Sequence, residues 1–117
     1  MIDKENNLKL ELIYCVYPDA DVITRTARLI NEGEGDIKIK KIMSCQIDFD
    51  PDNYVFTTFT GAWAREMKKT DMSVSSARLV NSSFTGNSSN RANPFVMLSK
   101  RGANEDYGDV YGFNLVY

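Results

Sequence analysis

The residues best equipped for chemistry lie in one stretch, Thr57-Thr58-Phe59-Thr60-Gly61-Ala62-Trp63-Ala64-Arg65-Glu66. It carries the single tryptophan of the chain, set between a glycine and an Arg-Glu pair. An indole has a large apolar face and one N–H donor to place. It therefore serves either as a core or interface anchor or as a flat platform for a sugar ring. Chemistry alone leaves both readings open, with packing the commoner fate. Arg65 and Glu66 are neighbours in a strand-like run and so face opposite ways; they need not pair, and a surface pair contributes only about 0–1 kcal/mol.

What is missing narrows the field further. The chain has no histidine, which excludes a His-based triad, a Cys-His zinc finger and a His general base. Two cysteines cannot fill a zinc site unaided. Any catalysis would fall to Asp, Glu, Lys or Tyr, and no cofactor or metal is expected. Asp48-Phe49-Asp50-Pro51-Asp52 opens like a calcium loop, but the sixth position is Asn53 rather than Gly and the twelfth is Phe59 rather than Glu, so it reads as an acidic turn. Asn81-Ser82-Ser83 and Asn87-Ser88-Ser89 are formal glycosylation sequons without a secretory signal to give them meaning. Gly86-Asn87-Ser88-Ser89-Asn90-Arg91-Ala92-Asn93-Pro94 is polar enough to bind hydroxyls, or is a solvated loop.

The elements that must hold these residues read as β-structure throughout. Residues 1–7 are polar and read as a frayed or extraneous tail. Leu8 to Tyr17 begins with clean alternation and then turns apolar on both faces, as a strand does on entering a two-sided core. Pro18-Asp19-Ala20-Asp21 is a turn, because proline presets φ and aspartate hydrogen-bonds nearby backbone. Val22 to Asn31 is the next strand, with Arg25 and Arg28 at opposite parity. Glu32-Gly33-Glu34-Gly35-Asp36 is a hairpin-type connection. It leads into a long strand, Ile37 to Asp48, whose Ile37, Ile39, Met43, Cys45 and Ile47 are expected to point inward. Tyr54–Thr60 and Trp63–Lys69 follow, joined tightly through Gly61. Ala77–Asn81 is a short strand, Ser82–Asn93 a long loop, and Pro94–Leu98 and Tyr111–Tyr117 the last strands.

About eight short β runs without a helical period predict an antiparallel all-β sandwich over residues 8–117. The chain stops inside an apolar strand, which reads as a piece of something longer. Net charge is −2 with mixed signs, so there is no electrostatic footprint for nucleic acid or an anionic membrane. No apolar run approaches the roughly 18 residues of a membrane span, and the N-terminus lacks a signal-peptide pattern. Cys15 and Cys45 read as buried free thiols in a reducing cytoplasm.

Several strings resemble the N-terminal domain of α-galactosidases of glycoside hydrolase family 36. They are Tyr17-Pro18-Asp19-Ala20-Asp21-Val22-Ile23-Thr24-Arg25 with Ala27-Arg28-Leu29-Ile30-Asn31, then Thr58 to Glu66, then Thr85-Gly86-Asn87-Ser88-Ser89 with Asn93-Pro94-Phe95. Gly108-Asp109 and Tyr111-Gly112-Phe113-Asn114-Leu115-Val116-Tyr117 close the series, in order from about Leu8 onward. The resemblance implies a large β-sandwich, or supersandwich, preceding a catalytic (β/α) barrel and a smaller C-terminal β domain. It implies a retaining enzyme that removes terminal α-galactose from melibiose and raffinose-type sugars, using two carboxylates about 5–5.5 Å apart. Both carboxylates belong to the barrel, and nothing in this chain matches their motifs, so no catalytic residue is carried over and this chain alone is expected to be inactive.

The resemblance also implies an oligomer whose N-terminal domains pack near the barrels. Trp63 and Arg65 then become candidates for facing a barrel, a sister subunit or α-galactoside sugar, with Asn90, Arg91 and Asn93 as weaker candidates for the same surface. Arginine suits fixed, planar hydrogen bonding at such a place. An incomplete sheet with an exposed edge would favour self-association into a homo-oligomer. The competing expectation is an autonomous carbohydrate-binding β-sandwich, with Trp63 and Tyr54, Tyr107 or Tyr111 as its aromatic platform.

Overall fold

A computed structural model of the chain describes residues 1–50, 52–75, 78–86 and 89–116. It is all-β and antiparallel, as the alternation predicts, with two sheets, the component from which a β-sandwich is built. The chain divides into two compact units, Met1–Phe49 and Asp50–Tyr117, one sheet in each.

In the first unit β1 (Ile2–Asp3), β2 (Leu8–Tyr17) and β3 (Val22–Asn31) form a sheet in that order. β2 and β3 pair over their full length, from Leu8↔Asn31 to Tyr17↔Val22, around the 3-10 turn Pro18–Ala20. Asp21 closes that turn in the left-handed region at φ 50°, a conformation a short polar side chain tolerates. The alternation places Leu10, Leu12, Tyr14 and Val16 on one face with Leu29, Ala27, Arg25 and Ile23. Arg25 Nε donates to the Tyr14 hydroxyl at 2.9 Å on that face. Arg28 stands opposite Glu11 on the other face, where Glu11 accepts from Lys9 Nζ at 2.7 Å.

Three expectations fail in this unit. Residues 1–7 do not fray: Ile2 and Asp3 pair with Lys9 and Leu8, and Asp3 accepts from the Glu5 and Asn6 backbone N–H groups to close the turn. Ile37–Asp48 is not a strand, and Ile37, Ile39, Ile42, Met43 and Ile47 are exposed. Its alternation is sound, but a strand exists only where a ladder partner takes its N–H and C=O groups, and among the described residues none does. Cys15 and Cys45 are free thiols as expected, yet exposed rather than buried.

The second unit holds a sheet in the order β5-β4-β6-β7, with β4 Tyr54–Ala62, β5 Arg65–Ser73, β6 Phe95–Lys100 and β7 Val110–Asn114. The registers Phe56↔Met72, Phe56↔Leu98 and Leu98↔Tyr111 gather the apolar residues of one face. β4 is interior to the sheet, and the best-buried side chains are its own: Tyr54, Thr57 and Thr58, at 9%, 1% and 6% exposure. On the second face the Phe59 and Phe95 rings stack with centroids 5.9 Å apart. A Cβ on Gly112 would lie 2.9 Å from the Phe95 ring, so a larger residue there would have to push that ring aside. Arg78–Asn81 is irregular rather than a strand, and Ala77 lies outside the described residues.

Candidate functional site

The stretch singled out in the sequence becomes a hairpin tip. β4 and β5 run antiparallel from Val55↔Ser73 and close with Ala62↔Arg65, leaving Trp63 and Ala64 as the turn. The tight join thus lies two residues beyond Gly61, which sits inside β4 where the register shifts between Thr60 and Ala62. That shift is a bulge, a device that bends a strand and re-aims side chains. Trp63 is 93% exposed, so its indole packs against nothing among the described residues. Arg65 and Glu66 are exposed beside it.

Two residues near the tip hold backbone angles that side chains disfavour. Ala64 has φ 59° and Met67 φ 53°, each costing on the order of 1 kcal/mol or more. Neither signals itself in the sequence, since alanine and methionine are ordinary strand or helix residues.

A second segment backs the hairpin. Ser89 and Ala92 bridge around the turn residues Asn90 and Arg91, with Ala92 N donating to Ser89 O at 3.0 Å. A Cβ added at Gly61 would meet the Asn90 carbonyl at 3.0 Å and the Arg65 carbonyl at 3.1 Å. The missing side chain at Gly61 therefore allows the Asn90–Arg91 turn to lie against the hairpin. Asn90 and Arg91 are exposed at the same end of the sheet as Trp63 and Arg65.

Asn93 plays a different part. Its backbone N–H donates to Phe59 O at 3.1 Å and its Nδ2 points to Met67 Sδ at 3.5 Å. Its Oδ1 accepts from Phe95 N at 2.9 Å, and its carbonyl accepts from Asn81 Nδ2 at 2.8 Å. Asn93 thus braces β4, β5 and β6 beside the tip. Asn81, read as a sequon, is part of that brace; only its paired side-chain chemistry, not its spacing, would have shown it.

The aromatic platform does not assemble. Tyr54 is buried and stands opposite Lys100, at the far end of β4 from the tip. Nine strand residues at about 3.3 Å each separate those ends by roughly 25 Å. Tyr107 lies in the β6–β7 connection at that far end, and Tyr111 pairs with Leu98 beside Phe56. Trp63 is the sole aromatic at its end of the hairpin among those four.

At the far end Lys100 Nζ sits 3.4 Å from Asp109 and 3.7 Å from Asp52. The Asp109 contact, more than Asp52, raises its pKa above the ordinary value. Mid-sheet, Thr57 Oγ1 donates to Asp71 Oδ1 at 2.6 Å and Lys69 approaches Oδ2 at 3.1 Å. The threonine hydrogen bond, followed by Lys69 and opposed by burial, holds the Asp71 carboxyl below its ordinary range. Among the described residues no three His, Cys, Asp or Glu side chains converge on a metal-sized space. No described helix is long and apolar enough to cross a membrane.

The geometry defines an all-β piece that presents one exposed indole and one guanidinium on a braced hairpin, without an acid-base pair beside them. Comparison with known proteins supplies the family. The profile described as the glycosyl hydrolase family 36 N-terminal domain matches residues 1–117, and the chain belongs to that family. It is 34% identical over all of its length to Alpha-galactosidase 1 of Pediococcus pentosaceus, covering 16% of that protein. It is 36% identical over 94% of its length to Alpha-galactosidase AgaA of Geobacillus stearothermophilus, covering 15%. With Alpha-galactosidase 2 of Hypocrea jecorina the identity is 33% over the whole chain, again 16% of the relative. The chain thus spans about a sixth of the length of the curated relatives it matches. No solved structure matches it.

Proposed function

We propose that this chain is the non-catalytic β-sandwich portion of a retaining α-galactosidase acting on terminal α-galactosides of the melibiose and raffinose type. Its task is to pack against the catalytic barrel and sister subunits and to contribute the rim of the sugar site through the β4–β5 tip. The observation that carries this reading is Trp63, 93% exposed on a hairpin whose base is braced by Asn93. A large apolar ring presented to water fits a surface or ring that lies outside this chain. Left-handed angles at Ala64 and Met67 add to it, because strain of this kind collects at ligand and interface sites. Trp63 and Arg65 face the partner; Asn90 and Arg91 extend the same surface; Asn93 positions them. The two unpaired cysteines favour a cytoplasmic location.

The test is made in the longer α-galactosidase. Trp63→Ala and Arg65→Ala are each expected to lower kcat/KM for melibiose by about tenfold or more, one lost contact of about 1.4 kcal/mol, or to reduce the oligomer mass. Unchanged kcat, KM and mass in both variants would sink the reading. Titration of the isolated chain with galactose, melibiose and raffinose is expected to be silent. Saturable millimolar binding would point instead to an autonomous carbohydrate-binding module.

A further inference from the structure

Between the pairs Thr60↔Lys68 and Ala62↔Arg65, β4 contributes one residue, Gly61, and β5 contributes two, Glu66 and Met67. The bulge therefore lies on β5, and its second residue, Met67, has φ 53°. Glycine enters that left-handed region without strain, and a methionine in it is held there by its surroundings. Met67 Sδ accepts from Asn93 Nδ2 at 3.5 Å, which ties the bulge to the segment leading into β6. On the other side, Glu66 Cα lies 3.3 Å from where a Cβ on Gly61 would stand, so the bulged backbone rests on the bare glycine.

One extra residue reverses the side-chain alternation of everything beyond it. Lys69 and Asp71 stand opposite Phe59 and Thr57, and strict alternation along β5 would put Arg65 on that same face. The bulge instead sets Arg65 opposite Ala62, on the face that Phe56, Thr58 and Thr60 share. Without it the Thr60↔Lys68 register would run on to Ala62↔Glu66. Arg65 would then fall into a three-residue turn with Trp63 and Ala64.

The structure assigns Met67 as the positioning residue of the hairpin tip: its left-handed backbone fixes the face on which Arg65 is presented and the length of the turn that carries Trp63. Met67 touches no partner in this role and acts through the course of the chain. Its importance to function rests on the reading that Arg65 faces a partner outside this chain; the bulge geometry does not. Backbone and side-chain roles predict opposite orders of variants. Glycine adopts the left-handed region freely, whereas a β-branched valine is driven out of it toward extended backbone.

In the longer α-galactosidase, Met67→Gly is expected to keep kcat and KM for melibiose within about twofold of the unaltered enzyme. Met67→Val should lower kcat/KM by about tenfold, or the oligomer mass, in whichever way Arg65→Ala does. Combined with Arg65→Ala it should cost nothing further, because both remove the same contact. A glycine variant worse than the valine one, as side-chain packing would give, or an additive loss in the double variant, would overturn the assignment. Nuclear magnetic resonance of the unaltered 117-residue chain tests the geometry apart from function and from the folding of any variant. It should show the strong intraresidue HN–Hα cross-peak of positive φ at Met67 and cross-strand contacts from Ala62 to Arg65. Contacts from Ala62 to Glu66 in their place would overturn the assignment outright. With the Ala62–Arg65 contacts present, a harmless Arg65→Ala would sink the reading of the tip and leave the placement of Arg65 by Met67 standing.

Discussion

Gly61 shows how one absent side chain organises the candidate site. Two backbone carbonyls lie within 3.1 Å of where its Cβ would stand, and neither can swing aside as a flexible side chain would. Gly61→Val is therefore expected to cost about 1–3 kcal/mol, as overpacking does, and to push the Asn90–Arg91 turn off the hairpin. Urea unfolding reads the first effect and faster amide exchange at Ala92 the second. Full stability with an unmoved Ala92 amide would mean that the turn is not held by that contact. Trp63 is the contrasting case, since a ring 93% exposed contributes little to this chain's own packing. The tryptophan was visible as important from its rarity, while its exposure was not, because an indole beside a glycine is equally consistent with a core anchor.

At the scale of the element, β4 and β5 are tied across the sheet by more than their ladder. Thr57 is 1% exposed and donates to Asp71, which keeps that carboxyl ionised to lower pH than its ordinary 3.8. The folded state then releases the proton more readily than the unfolded one. The stabilisation is complete above the unfolded value and is lost as pH falls through the lowered folded value. Thr57→Val removes the hydroxyl with little change of shape, so the Asp71 pKa measured by NMR titration should rise toward 3.8. The acid limb of the stability profile should become shallower. An unchanged Asp71 titration would show that Lys69, and not the threonine, sets it. Segment 37–48 teaches the converse: a clean β pattern, Ile37-Lys38-Ile39, stays irregular because no described strand pairs with it.

In the first sheet, Leu12, Ile13, Tyr14, Val16, Ile23 and Leu29 all stay substantially exposed. The chain belongs to the glycosyl hydrolase family 36 N-terminal domain and spans about a sixth of its relatives' length. On the proposed reading the acids of the glycosidase lie outside this chain, and among the described residues no pair of carboxylates stands at the hairpin tip. The isolated chain should accordingly release no product from an aryl α-galactoside at any pH between 4 and 8, a window spanning about the usual range for such acids. Turnover above a buffer blank by the purified chain would refute the non-catalytic reading.

Most strands whose partners are near in the chain were legible in the residues alone, β2 and β3 around Pro18–Ala20 and β4, β5, β6 and β7 within a few residues of their ends, with the two-residue β1 the exception. Alternation and turn chemistry are local properties, so the all-β class and the family strings needed nothing more. Only the tertiary structure decided that Trp63 forms the turn, that Asn93 braces neighbouring strands, and that Tyr54 lies buried far from the tip. Those outcomes depend on which backbone groups find partners across the sheet, and pairing between distant residues is not written in the period of either strand.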